Sequence, residues 1–96
     1  MGGEQMPFYQ FYALVEPRED AFFVKFPDIK SCFAEGKTRT EAVTLAEDTL
    51  GAYLSFCEDE RTEIPEPSSE SDIEVIQGTS LVQVQVNTDQ YKGRTP

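Results

Sequence analysis

Three short apolar stretches broken by turn residues open the chain, and a longer run of helical period follows them. Phe8 to Glu16 is rich in aromatic and other apolar residues and runs into Pro17, which has no N–H to offer a ladder, so it reads as a strand. Pro17-Arg18-Glu19-Asp20 is a turn cluster. In Ala21 to Phe26, Phe22, Val24 and Phe26 alternate with Phe23 and Lys25, which predicts a second strand hairpinned to the first. Pro27-Asp28 ends it, and Ser31 to Glu35 is a short third strand closed by Gly36.

The period then changes. Thr38 and Glu41 have capping-box spacing, each side chain satisfying a backbone N–H that the first helical turn leaves open. Ala42, Leu45, Ala46, Thr49, Leu50, Tyr53, Leu54 and Cys57 follow at spacings of three and four, one apolar stripe on a helix of about five turns. Glu41, Thr44, Glu47, Asp48, Ala52, Ser55 and Glu58 lie off that stripe. Gly51 interrupts the helix at a cost of about 1 kcal/mol, which points to close packing against a strand or a partner.

Acidic residues from Glu58 to Glu63 end the helix, opposing its dipole by about 0.3–1 kcal/mol each. Ile64-Pro65-Glu66-Pro67-Ser68-Ser69 is an extended linker, because proline forces its predecessor out of the helical region. Residues 70–78 fit either a short strand or a turn of helix. Ser80 to Thr88 is a final strand with Val82, Val84 and Val86 on one face and Leu81, Gln83 and Gln85 on the other. The predicted fold is α+β, in the order β-β-β-α-β, with an antiparallel sheet carrying one helix on one face. The last strand joins the edge of this sheet or a partner's sheet. Residues 1–7 read as a flexible N-terminus, 8–88 as one domain and 89–96 as a tail.

Charge sharpens this picture. The 96 residues carry a formal net charge of −10. Twelve of the 18 acidic side chains fall in residues 41–89, where Arg61 is the single basic one. Such a field repels phosphate backbones and attracts basic partners. No N-terminal apolar stretch has the length of a signal peptide or membrane span, so the cytoplasm is the default compartment and no membrane partner is expected.

Catalytic sets are missing from the sequence. There is no histidine, which removes Ser-His and Cys-His pairs, and there is no glycine-rich phosphate loop. Cys32 and Cys57 fall in apolar surroundings and read as buried free thiols; two cysteines without histidine make a poor zinc site. Asp28 with Glu47 or Asp48 is the one carboxylate set with a chance of converging on a metal, and surface solvation is the favoured reading. No cofactor, metal or catalytic residue is therefore expected, and the chain is not read as an enzyme. Phe8, Tyr9, Phe11 and Tyr12 are a candidate base-stacking platform, with core packing the favoured alternative.

The run Phe26-Pro27-Asp28-Ile29-Lys30-Ser31-Cys32-Phe33-Ala34-Glu35-Gly36-Lys37-Thr38-Arg39-Thr40-Glu41-Ala42 resembles the HicB family of toxin–antitoxin antitoxins. The matching positions are Phe26, Pro27, Asp28, Cys32, Phe33, Gly36, Thr38, Glu41 and Ala42, followed by Ala46, Tyr53, the Ile64–Ser68 exit and a valine-rich closing strand. The resemblance covers roughly residues 8–88. Lys30-Ser31 stands where Pro-Gly is common in the family. The resemblance implies an incomplete ribonuclease-H-like fold without the parent's catalytic acids. It implies a small basic ribonuclease toxin, HicA, as partner, and assembly into dimers or higher oligomers. Direct DNA binding, which many members perform through a further C-terminal module, is not expected of this chain.

Charge and resemblance together predict a non-catalytic antitoxin whose helix-borne carboxylates imitate the phosphates its partner recognises. Glu41, Glu47, Asp48, Glu58, Asp59 and Glu60 are the predicted contact residues. The alternative is an RNA-binding module using the aromatic sheet face, with Arg18, Lys25, Lys30, Lys37 and Arg39 as the local cations.

Overall fold

A computed structural model describes residues 8–91, and within those residues four strands form one antiparallel sheet with one long helix on one face. The predicted flexible segment 1–7 and the last five residues of the tail lie outside the described residues. Strands β1 (Phe8–Pro17), β2 (Phe22–Phe26) and β3 (Ile29–Gly36) precede helix α1 (Arg39–Glu60), and β4 (Ser80–Asn87) follows. The spatial order is β3-β2-β1-β4. Of the two placements expected for the last strand, the observed one is the edge of its own sheet. There β4 runs antiparallel to β1 from Phe8↔Asn87 to Val15↔Ser80.

Alternation along the strands decides the two faces. Phe11, Ala13, Val15, Val24, Phe26, Cys32, Ala34, Val84 and Val86 are buried in one core with Ala42, Ala46, Leu50 and Leu54 of α1. Each fully buried Phe or Leu contributes about 1.5–3 kcal/mol relative to exposure. β3 is longer than the sequence suggests. It begins at Ile29 because a register shift between Lys25 and Phe26 lets the tight turn at Pro27-Asp28 feed straight into pairing of Phe26 with Ile29.

The helix starts as its capping residues require. Thr38 Oγ1 accepts from the Glu41 N–H at 3.0 Å. Glu41 Oε1 reaches one residue further back than a capping box, accepting from the Lys37 N–H at 2.9 Å. The chain can approach so closely because Gly36 has no side chain; a Cβ there would lie 2.6 Å from the Ala42 nitrogen. At the other end Arg61 takes the left-handed conformation (φ 58°), and Thr62 N–H donates to the Cys57 carbonyl at 3.0 Å.

Two parts of the helix pattern need correction. Leu45, placed on the apolar stripe, is 40% exposed, while Val43 takes its place against the core. Ser55, placed off the stripe, is buried. The cause is a second contact that periodicity does not show. Residues Thr88–Tyr91, which the sequence assigns partly to a tail, form a 3-10 turn docked on the flank of α1. A Cβ on Gly51 would lie 2.2 Å from Tyr91 Cε1. Gly51 is closely packed as expected, but its neighbour is neither a strand nor a partner: it is the ring of Tyr91 from the chain's own 3-10 turn.

The linker after α1 has no regular structure from Ile64 to Ser69 and makes one 3-10 turn at Glu70–Asp72. Ile73, Val75 and Ile76 belong to neither a strand nor a helix. Asp28 anchors this segment: the Ser68 N–H donates to Oδ2 at 2.8 Å and the Ser68 hydroxyl to Oδ1 at 2.6 Å.

Candidate partner-binding site

The outward face of α1 carries a groove made by helix periodicity. Asp48, Ala52, Phe56 and Asp59 recur at spacings of four, four and three, which stacks them on one side of the helix. With Ser55 and the docked Tyr91 they line a single depression. Its floor is apolar, from Ala52 and the rings of Phe56 and Tyr91, and a carboxylate stands toward each end. Phe56 is 59% exposed, and the half-exposed Leu45 continues the apolar line toward the helix start. Tyr91 Oη lies 3.2 Å from Asp48 Oδ1 and 3.4 Å from the Glu47 carbonyl oxygen, both acceptors. That contact holds the ring in place as one wall. An apolar floor between carboxylates suits a Lys or Arg side chain, whose stem packs on the rings while its cation meets an acid.

The six predicted contact residues do not form one surface. Asp48 and Asp59 lie in the groove, and Glu60 is exposed on the helix end beside it. Glu47 is half-buried on the flank toward the Thr88–Tyr91 turn. Glu41 is exposed but engaged in the cap at the far end of the helix. Glu58 stands apart from the other five. Its carboxylate turns inward, accepting from the Tyr9 hydroxyl at 2.6 Å and the Thr88 hydroxyl at 3.1 Å, and so ties β1, α1 and the closing turn together. Position 58 follows the buried Cys57, and its carboxylate is part-buried between Tyr9 of β1 and Thr88.

The residues that carry the family resemblance sit at structural joints. Phe26, Cys32 and Ala42 are buried, Gly36 and Thr38 set the strand-to-helix junction, Glu41 closes the cap, and Asp28 after Pro27 holds the linker. Phe33 is the exception, 55% exposed on the sheet face away from the helix.

The candidate stacking platform of β1 does not form, and core packing, the favoured alternative, holds for Phe11. Phe8, Tyr9, Phe11 and Tyr12 cannot share one surface, because neighbouring residues of a strand point to opposite sides. Phe11 is fully buried and Tyr9 is bonded to Glu58. The aromatics that do meet on the sheet face away from α1 are the half-buried Phe23 and the exposed Phe33, with ring centroids 5.9 Å apart, and the Arg18 guanidinium stands 4.5 Å from the centre of Phe23. Lys25 and Lys30 line the same groove, together with Leu14, Ile73 and Ile76. The alternation of Phe23 with Lys25 was the signal for this cluster in the sequence. Phe56 had the signal of lying four residues beyond Ala52 on the polar side of the helix.

Asp28 does not converge with Glu47 or Asp48, since its two oxygens are occupied by Ser68. Among the described residues no group of three or more His, Cys, Asp or Glu side chains is placed to hold a metal ion. Cys32 and Cys57 are buried free thiols. Burial pushes the Cys32 thiol up to about 11, and Tyr53 is shifted upward first by its hydrogen bond with Cys57. No helix among the described residues is long and apolar enough to cross a membrane.

Comparison with known proteins agrees with the fold and the motif. Residues 9–87 match the family model described as the HicB-like antitoxin of bacterial toxin–antitoxin systems. Antitoxin HicB 2 of Photorhabdus laumondii subsp. laumondii is 39% identical over 57 residues, 59% of this chain and 41% of the relative. Antitoxin HicB 1 of the same organism is 39% identical over 54 residues, 55% of this chain and 35% of the relative. The matches thus span about two-fifths or less of these relatives' own length. In solved structures, a chain of a toxin–antitoxin complex from Streptococcus pneumoniae superposes with a TM-score of 0.81 at 20% identity, covering 93% of this chain and 76% of that one. A chain of the HicA3 and HicB3 toxin–antitoxin complex superposes with a TM-score of 0.65 at 20% identity, covering 82% and 99%. At that identity the superpositions show a shared fold.

Proposed function

The chain belongs to the HicB-like antitoxin family, and from that premise we propose that it binds a small basic RNA-targeting toxin of the HicA type and neutralises it without catalysis of its own. The observation that carries this reading is the groove on α1, where Asp48 and Asp59 flank the exposed Phe56 ring beside Tyr91. A protein that grips RNA presents cations spaced for phosphates, and carboxylates along a helix offer a rival set of anions. The apolar floor adds what phosphates lack, an area to exclude water around the ion pairs. The wider field of the acidic chain draws a basic partner in and raises the encounter rate, an effect that salt weakens.

Inhibition is the direct test. A HicA-type toxin is assayed for RNA cleavage with increasing amounts of the chain. Cleavage stops near one chain per toxin if the reading holds, and continued cleavage in a large excess of chain overturns it.

A second reading is favoured by one specific cluster. Arg18, Phe23, Lys25, Lys30 and Phe33 bring cations and solvent-accessible rings together on the sheet face away from α1, the combination that single-stranded nucleic acid uses. Gel shifts on single-stranded RNA at low salt decide it, and the absence of a shift rejects it.

A further inference from the structure

Leu14 is buried on the sheet face that α1 does not cover. It lies between the core residues Ala13 and Val15 of β1, so alternation turns it away from the helix, yet it is only 8% exposed. The segment after the linker covers it. Ile73 and Ile76 line a groove with Leu14, and Ser69 and Val75 line a second one with Leu81. This strap is fixed at both ends. Ser68 is bonded to Asp28, and the Ile76 carbonyl accepts from the Thr79 N–H at 2.9 Å and from its hydroxyl at 2.6 Å. The wall it makes is therefore preformed.

Between the strap and the rings of Phe23 and Phe33 lies a groove of about 540 Å³, a size that small-molecule sites share. Its apolar lining includes Leu14, the two rings, Ile73 and Ile76, and Phe33 and Ile76 are more than half exposed. Register sets a cation among them: Lys25 of β2 pairs with Leu14 on one side and with Phe33 on the other. Lys30 lines the same groove. Among the described residues neither lysine has an acid within ion-pair distance. In a chain of net charge −10, two cations left without acids beside an apolar groove select an anion from outside.

We propose that this groove binds a free small amphipathic acid, with one apolar body ending in a single carboxylate or similar anionic group. The body packs on Leu14, the two rings and Ile76, where it excludes water. The anionic end meets Lys25 and Lys30, and the apolar lining strengthens that attraction relative to open water. The strap limits the ligand to one charge. Asp72 and Glu74 line its side of the groove, and the Ser69 hydroxyl holds the Asp72 carboxylate at 3.0 Å. A polyanion such as RNA would set further phosphates against these acids. The proposal is independent of the toxin reading, because α1 lies on the other face of the sheet.

The experiment uses the chain alone, without toxin. Decanoate is titrated into the isotopically labelled chain and followed by amide chemical shifts, beside 1-decanol and a single-stranded oligouridylate. Decanoate is expected to shift the amides of Leu14, Lys25, Phe33 and Ile76 and to saturate below millimolar concentration. Decanol, which lacks the charge, is expected to bind about tenfold more weakly. The same loss of about tenfold is expected for decanoate with Lys25→Gln/Lys30→Gln; both lysines are exposed, and circular dichroism checks that the variant is folded. An absence of shifts at these amides overturns the proposal. So does equal decanoate affinity in the lysine variant, or a set of shifts confined to Phe56 and Tyr91 on the α1 side. Shifts caused by the oligouridylate and not by decanoate assign the face to nucleic acid and overturn it as well.

Discussion

Asp28 holds Ser68 across forty residues of sequence with two hydrogen bonds, one from the backbone N–H and one from the hydroxyl. This clamp explains why Asp follows Phe-Pro at the end of β2, for it fixes the return path that lets β4 reach β1. Hydrogen bonds to a charged acceptor contribute about 1.5–3 kcal/mol. Asp28→Ala should therefore lower stability by about 2 kcal/mol in urea denaturation and open the Ser68 amide to exchange. Ser68→Ala, which keeps the backbone bond, should cost about half as much. Equal losses from the two would mean that the Ser68 N–H bond carries no weight.

Gly51 and Tyr91 form a second joint that a double-mutant cycle can isolate. Alanine at 51 gains about 1 kcal/mol of helix propensity but places its Cβ where the Tyr91 ring sits. Gly51→Ala should stabilise the protein by about 1 kcal/mol in a Tyr91→Ala background, and destabilise or leave it unchanged with Tyr91 present. Additive effects in thermal or urea unfolding would contradict the packing described.

Cys32 gives the protein an alkaline limit. Its thiol is raised from the ordinary 9.0 to about 11 because burial disfavours the thiolate. The unfolded chain releases this proton first. The stability that the neutral thiol contributes is complete below pH 9 and is lost as pH climbs through 11. Urea midpoints measured across that window should fall with pH, and the fall should be shallower in Cys32→Ala. An identical slope in both proteins would assign the alkaline loss to other groups, such as the tyrosines.

The sequence disclosed what depends on period and on short-range chemistry. Thr38 and Glu41 marked the helix start because capping bonds span only a few residues, and the valines of β4 showed their buried face by alternation. What it concealed depends on contacts between distant segments. Glu58 looked like one more surface acid until Tyr9 and Thr88 were brought against it. Leu45 sat on a sound helical stripe, yet α1 is rotated so that Ser55 and Gly51 meet the Thr88–Tyr91 turn instead. The candidate site was half legible for the same reason. Asp48 and Asp59 followed from the charge pattern, whereas the ring of Tyr91 came from a segment read as tail.

The central claim is that the acidic-apolar groove of α1 is the toxin-binding surface. Isothermal titration of a HicA-type toxin into the chain at physiological salt, alongside Asp48→Lys/Asp59→Lys, tests it most directly. Asp48 also accepts from the Tyr91 hydroxyl, so circular dichroism and urea unfolding are run beside the titration and must show the variant folded. The wild type should bind with micromolar or tighter affinity that weakens as salt rises, and the double charge reversal should lower affinity at least about tenfold, or 1.4 kcal/mol. No binding by the wild type, or equal affinity in the two proteins, would contradict the claim.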